Sequence, residues 1–273
     1  MNDPYFSKLN YQEHIQKYPF NKELNEEIDI NLIDVKLVRP TYESVDKDNK
    51  IPFSSEYDDL VRLHYLVISR KVTTILEFGV GKSTIVFDNA LQHNKIFHED
   101  FCKKNLRRGN LFECYSIDNN MDWINSVKEK YDTKLVNFCY SDCIVSEFNN
   151  RICTLYENFP NICPDLIYLD APDQFSVKGN IRGISTNHVD RLPMSADILC
   201  FENFLLPGTL IVVDGRTANA IFLKNNLQRD WKYYYSEIYD QHFFELNDKP
   251  LGIYNKRQLD FCLKETDVKM YEF

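Results

Sequence analysis

The sequence lacks a long hydrophobic run. No apolar stretch in its 273 residues approaches the roughly 20 residues that a membrane-spanning helix needs. The first ten residues mix acidic, basic and proline side chains, which is not the pattern of a signal peptide. We therefore expect a cytoplasmic protein that does not use a membrane as a partner.

The sequence also lacks paired cysteines and an excess of positive charge. None of the eight cysteines forms a CxxC pair, so a structural zinc site is not predicted and the thiols are interpreted as reduced core residues. The 32 Lys and Arg residues are outnumbered by 41 Asp and Glu residues, which gives a net charge of −9. A chain of this charge does not have the electrostatic surface of a protein that binds a nucleic acid polymer.

The pattern along the chain divides it into three segments. Residues 1–55 are polar and punctuated by proline, and we interpret them as an N-terminal extension that packs on the core. Residues 56–256 form the predicted main domain, and residues 257–273 are a weakly patterned tail. Short helices are predicted in the extension at Tyr11–Lys17 and Lys22–Ile28.

Within the main domain, short apolar runs alternate with amphipathic stretches. Strands are predicted at Thr74–Phe78, Glu113–Ile117, Lys134–Tyr140, Asp165–Leu169 and Thr209–Val213, and then at Trp231–Ile238, His242–Leu246 and Leu251–Tyr254. Helices are predicted at Glu56–Ser69, Ser83–Gln92, Met121–Tyr131, Ser195–Leu206 and Thr217–Gln228, with an insertion at Lys95–Gly109. Such alternation predicts an α/β fold with a mainly parallel sheet.

A glycine turn follows the first predicted strand, where Gly79 and Gly81 lead into a helix. Glycines at such a turn let the backbone bend sharply and let a ligand approach the main chain. The turn is not a P-loop, because that motif needs a glycine where this chain has Leu76. A dinucleotide fingerprint would have a third glycine at the position of Thr84, so a nicotinamide-dependent oxidoreductase is a weaker alternative.

The segment Glu77-Phe-Gly79-Val80-Gly81-Lys-Ser83-Thr84 resembles the first motif of class I S-adenosylmethionine (SAM)-dependent methyltransferases. This resemblance implies a Rossmann-like sheet of seven strands, mostly parallel with one antiparallel strand, and helices on both faces. It also implies SAM as cofactor and S-adenosylhomocysteine (SAH) as product. The residues that it assigns to the cofactor are Glu77, Gly79, Val80, Gly81, Ser83 and Thr84, with Asp118 and Asn119 at the ribose and Ser141 and Asp142 near the adenine.

Two acids, Asp170 and Asp214, follow the fourth and fifth predicted strands, where ligands of parallel sheets bind. Asp170 is our first candidate for the base that removes a proton from the acceptor, and His242 is the second. The two acids also resemble the metal ligands of catechol-type O-methyltransferases. Gly215 stands where those enzymes have a third oxygen ligand, and Arg216 would repel a cation, so a divalent metal is not favoured.

The long connection between Ala171 and Ser195 contains several basic residues. Long loops at this edge of an α/β fold commonly bind substrates. We predict that Lys178, Arg182, His188 and Arg191, together with Arg216, bind an anionic small-molecule acceptor such as a phosphate- or nucleotide-linked compound. The chain also resembles small bacterial methyltransferases that modify surface-polysaccharide precursors. A non-catalytic interaction module on a methyltransferase scaffold remains an alternative, and a homodimer is left open.

Overall fold

The computed structural model describes residues 3–24 and 57–264. Its main sheet has seven strands in the order β3-β2-β1-β6-β7-β9-β8, and a separate hairpin pairs β4 with β5. The strands are β1 Thr74–Phe78, β2 Glu113–Asp118, β3 Val136–Tyr140, β4 Cys143–Phe148, β5 Arg151–Tyr156, β6 Leu166–Leu169, β7 Leu210–Asp214, β8 Trp231–Ser236 and β9 Gln241–Leu246. The helices are α1 Tyr11–Lys17, α2 Tyr57–Ser69, α3 Lys82–Asn105, α4 Met121–Lys130, α5 Asp197–Phe201, α6 Thr217–Asn226 and α7 Gly252–Leu263.

This arrangement confirms the predicted Rossmann-like, methyltransferase-type sheet. Strands β3, β2, β1, β6 and β7 pair in parallel, whereas β9 pairs antiparallel with both β7 and β8. The antiparallel strand therefore comes from the aromatic region near the C-terminus, as expected. No helix within the described ranges is long and apolar enough to cross a membrane.

Alternate residues of the central strands face opposite sides of the sheet, and both sides are covered. Leu76, Ile167 and Ile211 pack on the side of the β4–β5 hairpin, α5 and α6. Their neighbours Ile75 and Leu166 pack on the side of α2 and α3. Strands that are buried on both faces are continuously apolar and do not alternate with polar residues. This explains why the central strands could be predicted from the sequence.

Residues 3–24 belong to the folded core. Ile15, Phe20 and Leu24 are buried in a cluster that includes Val61 of α2 and Val80 of the glycine turn. Burial of each such large apolar side chain contributes about 1.5–3 kcal/mol. The predicted boundary near residue 55 lies outside the described residues, and so does most of the predicted helix Lys22–Ile28, so the domain boundaries stay a prediction.

Several predicted elements need correction. The segment Leu251–Tyr254 was predicted as a strand from its aromatic content, but it contains the start of helix α7. The predicted insertion Lys95–Gly109 is largely the second half of α3, which continues without a break to Asn105. The predicted helix Ser195–Leu206 is reduced to α5 and a 3₁₀ turn at Glu202–Phe204.

The β4–β5 hairpin was missed in the sequence. Its connection is Asn149-Asn150, and both residues have positive φ angles, of 49° and 60°. A two-residue loop with this backbone joins tight hairpins, and asparagine tolerates it better than most residues. The Asn-Asn pair between two β-prone runs was therefore the available signal.

Candidate active site

The carboxyl ends of four neighbouring strands bring the predicted site residues to one edge of the sheet. Because β1 pairs with β2 and with β6, and β6 pairs with β7, the residues that end these strands are adjacent. They are Gly79 after β1, Asp118 at the end of β2, Asp170 after β6 and Asp214 at the end of β7. We call this region the carboxyl edge.

The glycine turn depends on its first glycine for close packing. Gly79 has a φ of +103°, and its N–H donates to the carbonyl oxygen of Ile117 at 2.9 Å. A Cβ atom at this position would lie 3.2 Å from the Cβ of Ala171 and 3.3 Å from the carbonyl oxygen of Asp170. By contrast, a Cβ at Gly81 would meet no atom within 4 Å, so open space adjoins the turn on that side.

Asp118 and the glycine turn converge, as the sequence interpretation required. The Asp118 carboxylate accepts hydrogen bonds from the N–H groups of Val80, at 2.9 Å, and Asn120, at 2.8 Å. Asp118 is 8% exposed, and burial raises the pKa of its carboxyl while these main-chain bonds lower it. The carboxylate therefore fixes the turn to the start of α4 in addition to any contact with a ligand.

Glu77 lies beneath the turn and does not face the open space beside it. Its carboxylate accepts three hydroxyl groups, from Ser83 at 2.5 Å, Thr84 at 2.7 Å and Ser116 at 2.5 Å. Glu77 is fully buried, and burial raises its pKa to about 7 against the effect of these hydrogen bonds. These hydroxyl contacts hold the first turn of α3 in place, and a direct contact of Glu77, Ser83 or Thr84 with the cofactor stays a prediction.

Ser116 is a site residue that the sequence reasoning missed. It lies directly opposite Glu77 in the β1–β2 register, on the same face of the sheet. A serine at an inward, fully buried position of a central strand was the available signal, because a buried hydroxyl needs a partner.

Asn119, predicted at the ribose, and Ser141 and Asp142, predicted near the adenine, have mainly structural contacts. Ser141 is buried, and its hydroxyl accepts the N–H of Asn158 at 2.8 Å. Asn119 donates to the carbonyl oxygen of Ser176 at 3.1 Å, so it anchors the 171–195 loop. Asp142 accepts the Lys178 ammonium at 2.7 Å and anchors the same loop. A direct adenine contact of Ser141 is not supported by this burial.

Asp170 is the most accessible of the three acids at the carboxyl edge. Its side chain is 52% exposed, and one carboxylate oxygen accepts Nε of Arg216 at 3.2 Å. The other nitrogens of Arg216 donate to the carbonyl oxygens of Asp170, at 2.7 Å, and Pro172, at 2.9 Å. Desolvation by the surrounding protein raises the pKa of Asp170, whereas Arg216 lowers it. Asp170 is thus held in a fixed orientation at the rim of the site.

Asp214 is more enclosed than Asp170. Its carboxylate accepts the hydroxyl of Tyr168 at 2.9 Å and the side-chain amide of Gln241 at 3.2 Å. Burial, and then the charge of Asp170, raise the pKa of Asp214 to about 6. Both carboxylate oxygens of Asp214 therefore accept hydrogen bonds from the protein. Asp214 is thus better placed to influence the electrostatic potential around Asp170 than to contact a methyl acceptor.

His242 is a packed residue of β9. It is 1% exposed, its Nε2 lies 3.1 Å from the Thr217 hydroxyl and its Nδ1 lies 2.9 Å from the Tyr233 hydroxyl. Its ring stacks on Tyr235 at 4.2 Å, and burial lowers its pKa. With both ring nitrogens engaged and no route to solvent, the prediction of His242 as a base is not supported.

Three of the five basic residues predicted to bind the acceptor lie beside a carboxylate. Lys178 is paired with Asp142, and Arg216 with Asp170. His188 is exposed, with Nδ1 3.7 Å from a carboxylate oxygen of Asp190, and Arg191 donates to the Ser185 carbonyl at 3.0 Å. Of these five residues, Arg182 and Arg191 are exposed and have no described carboxylate within salt-bridge distance, so their charge is available to an anionic acceptor.

The 171–195 loop is folded against the domain. Thr186 is buried and donates to the carbonyl oxygen of Gln174 at 2.7 Å, and Gln174 donates to the carbonyl oxygen of His188 at 2.9 Å. Residue Val177 joins the core cluster on the hairpin side. In the ranges 3–24 and 57–264, no group of three His, Cys, Asp or Glu side chains is arranged to hold a metal ion.

Comparison with known proteins gives a distant structural likeness. No family model matches the chain, and no curated protein does. A crystal structure of an SAH-bound methyltransferase of Podospora anserina matches over 86% of this chain and 88% of that chain, with 12% sequence identity and a TM-score of 0.42. At this distance no residue role is transferred from it.

Proposed function

We propose that the chain is an enzyme that transfers a methyl group from SAM to a heteroatom, an oxygen in particular, of a small polar molecule. The observation that best supports this is the concentration of carboxyl groups beside the glycine turn. Burial raises the pKa of Glu77, Asp118 and Asp214, and the nearby charge of Asp170 raises each of them further. A ligand that carries positive charge relieves this repulsion.

SAM fits this donor set in charge and in space. SAM carries a positively charged sulfonium and an ammonium group. The space next to the glycine turn is open at Gly81 and is bordered by the half-exposed Asp170. When bound, SAM supplies an electrophilic methyl group. Asp170, oriented by Arg216, would align the acceptor and take its proton, and burial, which raises the pKa of its carboxyl, makes it a better proton acceptor.

The same charges disfavour a nicotinamide cofactor, whose pyrophosphate is anionic. Thr84 supports this distinction, because its hydroxyl accepts the N–H of Gly81 at 2.9 Å and donates to Glu77 at 2.7 Å. A dinucleotide fingerprint has its third glycine at this position. In this chain the side chain of Thr84 instead makes hydrogen bonds within the turn.

We propose that the methyl acceptor is anionic. A phosphate- or nucleotide-linked compound, such as a precursor of a surface polysaccharide, is an example. This part rests on Arg182 and Arg191. We expect R182Q/R191Q to raise the KM for sugar phosphates and nucleotide sugars, assayed by SAH formation, and to leave SAM affinity unchanged. Loss of SAM affinity, or an unchanged KM for every substrate of the panel, would contradict the assignment.

Thermal unfolding with SAM, SAH and NAD separately tests the cofactor. A ligand at a hundredfold excess over its Kd stabilises the fold by about 2.7 kcal/mol, which corresponds to a rise in Tm of about 5–10 °C for a domain of this size. We expect a rise with SAM and SAH and none with NAD. A rise with NAD alone would favour the oxidoreductase, and no rise with any ligand would favour a non-catalytic module.

The substitution D170N sharpens the test, with D260N on the exposed side of α7 as its control. Removal of the Asp170 charge is expected to weaken SAM binding more than SAH binding, since only SAM carries the sulfonium charge. D260N changes the net charge equally but lies far from the carboxyl edge, so it should leave both affinities unchanged.

A further inference from the structure

Residues 3–24, which we call the strap, are attached to the rest of the domain through side chains. Within the described residues, every hydrogen bond between main-chain groups that involves the strap joins two residues of the strap itself. The ring of Tyr5 stacks on Phe243 of β9 at 4.4 Å, and Leu24, at the other end, is buried in the cluster that contains Val80. Release of the strap would therefore break no hydrogen bond of the sheet.

A chain of buried polar side chains joins the strap to helices α2 and α3. Nε2 of His14 lies 2.8 Å from Nδ1 of His64 on α2, and Nε2 of His64 lies 2.9 Å from Oδ1 of Asn89 on α3. Nδ2 of Asn89 donates to the Glu23 carboxylate at 2.7 Å, so both ends of this chain belong to the strap. His14 and Asn89 are 8% exposed, and His64 is fully buried.

The Glu23 carboxylate sets the direction of each hydrogen bond in this chain. A carboxylate only accepts, so Asn89 presents its NH₂ group to Glu23 and its oxygen to His64. Nε2 of His64 therefore carries the hydrogen, and in a neutral ring Nδ1 is then the acceptor for the Nε2–H of His14. A second proton on His64 would point two N–H groups at each other and break the link to His14.

The surroundings of the two imidazole rings also disfavour a positive charge. The groups that face the rings are Lys17, Tyr18 and Phe20 of the strap, Tyr65 of α2, and Asn89 and His93 of α3, while Asp88 and Lys134 lie near Glu23. Burial, and then the charges of Lys17 and His93, lower the pKa of His14 to about 4. Burial, and then His14, lower the pKa of His64. Protonation of either ring therefore weakens the attachment of the strap.

Apolar side chains of the strap pack against the glycine turn. Phe20 and Leu24 share a buried cluster with Val80, the residue between the two glycines of the turn. The N–H of Val80 donates to Asp118 at 2.9 Å, and its carbonyl oxygen accepts the indole N–H of Trp123. Release of the strap would remove apolar neighbours of Val80 and so loosen the turn at which the cofactor is expected.

We propose that the strap holds the glycine turn in place and is released when His14 and His64 take up protons. Its effect on SAM binding rests on the proposed function. Each histidine that is protonated only in the released state raises the ratio of released to attached strap by up to about tenfold per pH unit below 6.5. Between pH 7 and pH 5 this ratio increases about 20-fold through His14 alone and about 500-fold through both histidines.

Hydrogen–deuterium exchange of the full chain at pH 7 and pH 5, corrected for the intrinsic exchange rates, tests the release. We expect the opening constant of amides in 11–24 to increase about 500-fold, while amides of β6 and β7 stay protected at both pH values. H14Q keeps a donor for His64 but does not titrate, so its increase should be about 25-fold. The matched control is H188Q, which removes an exposed histidine of the 171–195 loop and should behave as the wild type.

Nuclear magnetic resonance of ¹⁵N-labelled histidine tests the hydrogen-bond chain without any substitution. At pH 7 both His14 and His64 should be neutral with the proton on Nε2. A proton on Nδ1 of His64 would overturn the proposal, and so would strap amides that exchange at the same rate as those of β6 and β7. An H14Q variant that keeps the full pH dependence of the wild type would overturn it as well.

Exchange in the presence of SAM tests the link between the strap and the glycine turn. Saturating SAM should slow exchange of the strap at pH 5, because a ligand that prefers the attached state stabilises that state in return. SAM that binds without slowing this exchange would contradict the link. A chain that binds no SAM but releases its strap as expected would contradict the proposed function and support the histidine-controlled strap.

Discussion

The buried carboxyl of Glu77 makes the stability of the protein depend on pH in an unusual direction. Its pKa is about 7 in the fold because burial outweighs three hydroxyl hydrogen bonds, whereas an exposed glutamate has a pKa near 4.5. The folded state therefore binds a proton that the unfolded chain releases between pH 4.5 and 7. Stability falls as the pH rises through this window, and the loss is complete above pH 7.

The magnitude follows from the two pKa values. Moving the pKa from 4.5 to about 7 corresponds to about 3 kcal/mol at pH 8. The substitution E77Q replaces the carboxyl by a neutral group of the same shape, and its hydroxyl partners can rotate to accept from the amide. We expect E77Q to be more stable than the wild type at pH 8, and the difference in unfolding free energy between the two to shrink as the pH falls to 5.

Urea unfolding at pH 5, 6, 7 and 8 measures this difference directly. D197N is the comparison variant, because burial also raises the pKa of Asp197 to about 7, although Asp197 lies in α5 away from the glycine turn. D197N should show a similar pH-dependent gain in stability with unchanged SAM affinity. In contrast, the SAM affinity of the wild type should increase as the pH rises through 7, because Glu77 becomes negatively charged. The SAM affinity of E77Q should not show this increase. A pH slope of E77Q that equals the wild-type slope would refute the reasoning.

Three further predictions concern the backbone of two glycines and a histidine pair. G79A should lower stability by about 1–3 kcal/mol and abolish SAM binding, since the residue has a φ of +103° and packs against the end of β6. G208A should lower stability by a similar amount, because its φ is +92° and a Cβ would lie 2.4 Å from Leu259, yet SAM affinity measured by calorimetry should not change. Nε2 of His14 and Nδ1 of His64 are 2.8 Å apart, and burial lowers the pKa of His14 to about 4. Between pH 6.5 and 4 the unfolded chain therefore binds a proton at this histidine that the folded chain does not, so the stability present above pH 6.5 is lost as the pH falls towards 4. Relative to H14F, the wild type should lose up to about 1.4 kcal/mol per pH unit in that window, measured by urea unfolding.

The sheet could be predicted from the sequence because its central strands carry their own signal. Continuous apolar runs such as Leu210–Val213 are buried on both faces, and each is bounded by a glycine, proline or acid at its end. The prediction of a strand at Leu251–Tyr254 was wrong for the opposite reason. The aromatic and aliphatic residues of this segment are exposed at the start of a helix, so their β-propensity did not indicate a buried strand.

The roles of the site residues could not be predicted in the same way, because they depend on which main-chain donors fold back onto each acid. Asp118 and Asp170 both end strands, and in the sequence they look equivalent. After Asp118 the chain turns at once into α4, so the N–H of Asn120 joins that of Val80 on its carboxylate and Asp118 is 8% exposed. After Asp170 the chain continues as Ala171-Pro172 into a long loop, so no main-chain donor returns and the carboxylate meets solvent and Arg216 instead. Under the proposed function Asp170 is the acid that can act on a ligand, because Asp118 accepts main-chain donors and both oxygens of Asp214 accept side-chain donors from Tyr168 and Gln241. Substitution of Asp170 is therefore the test of the chemistry.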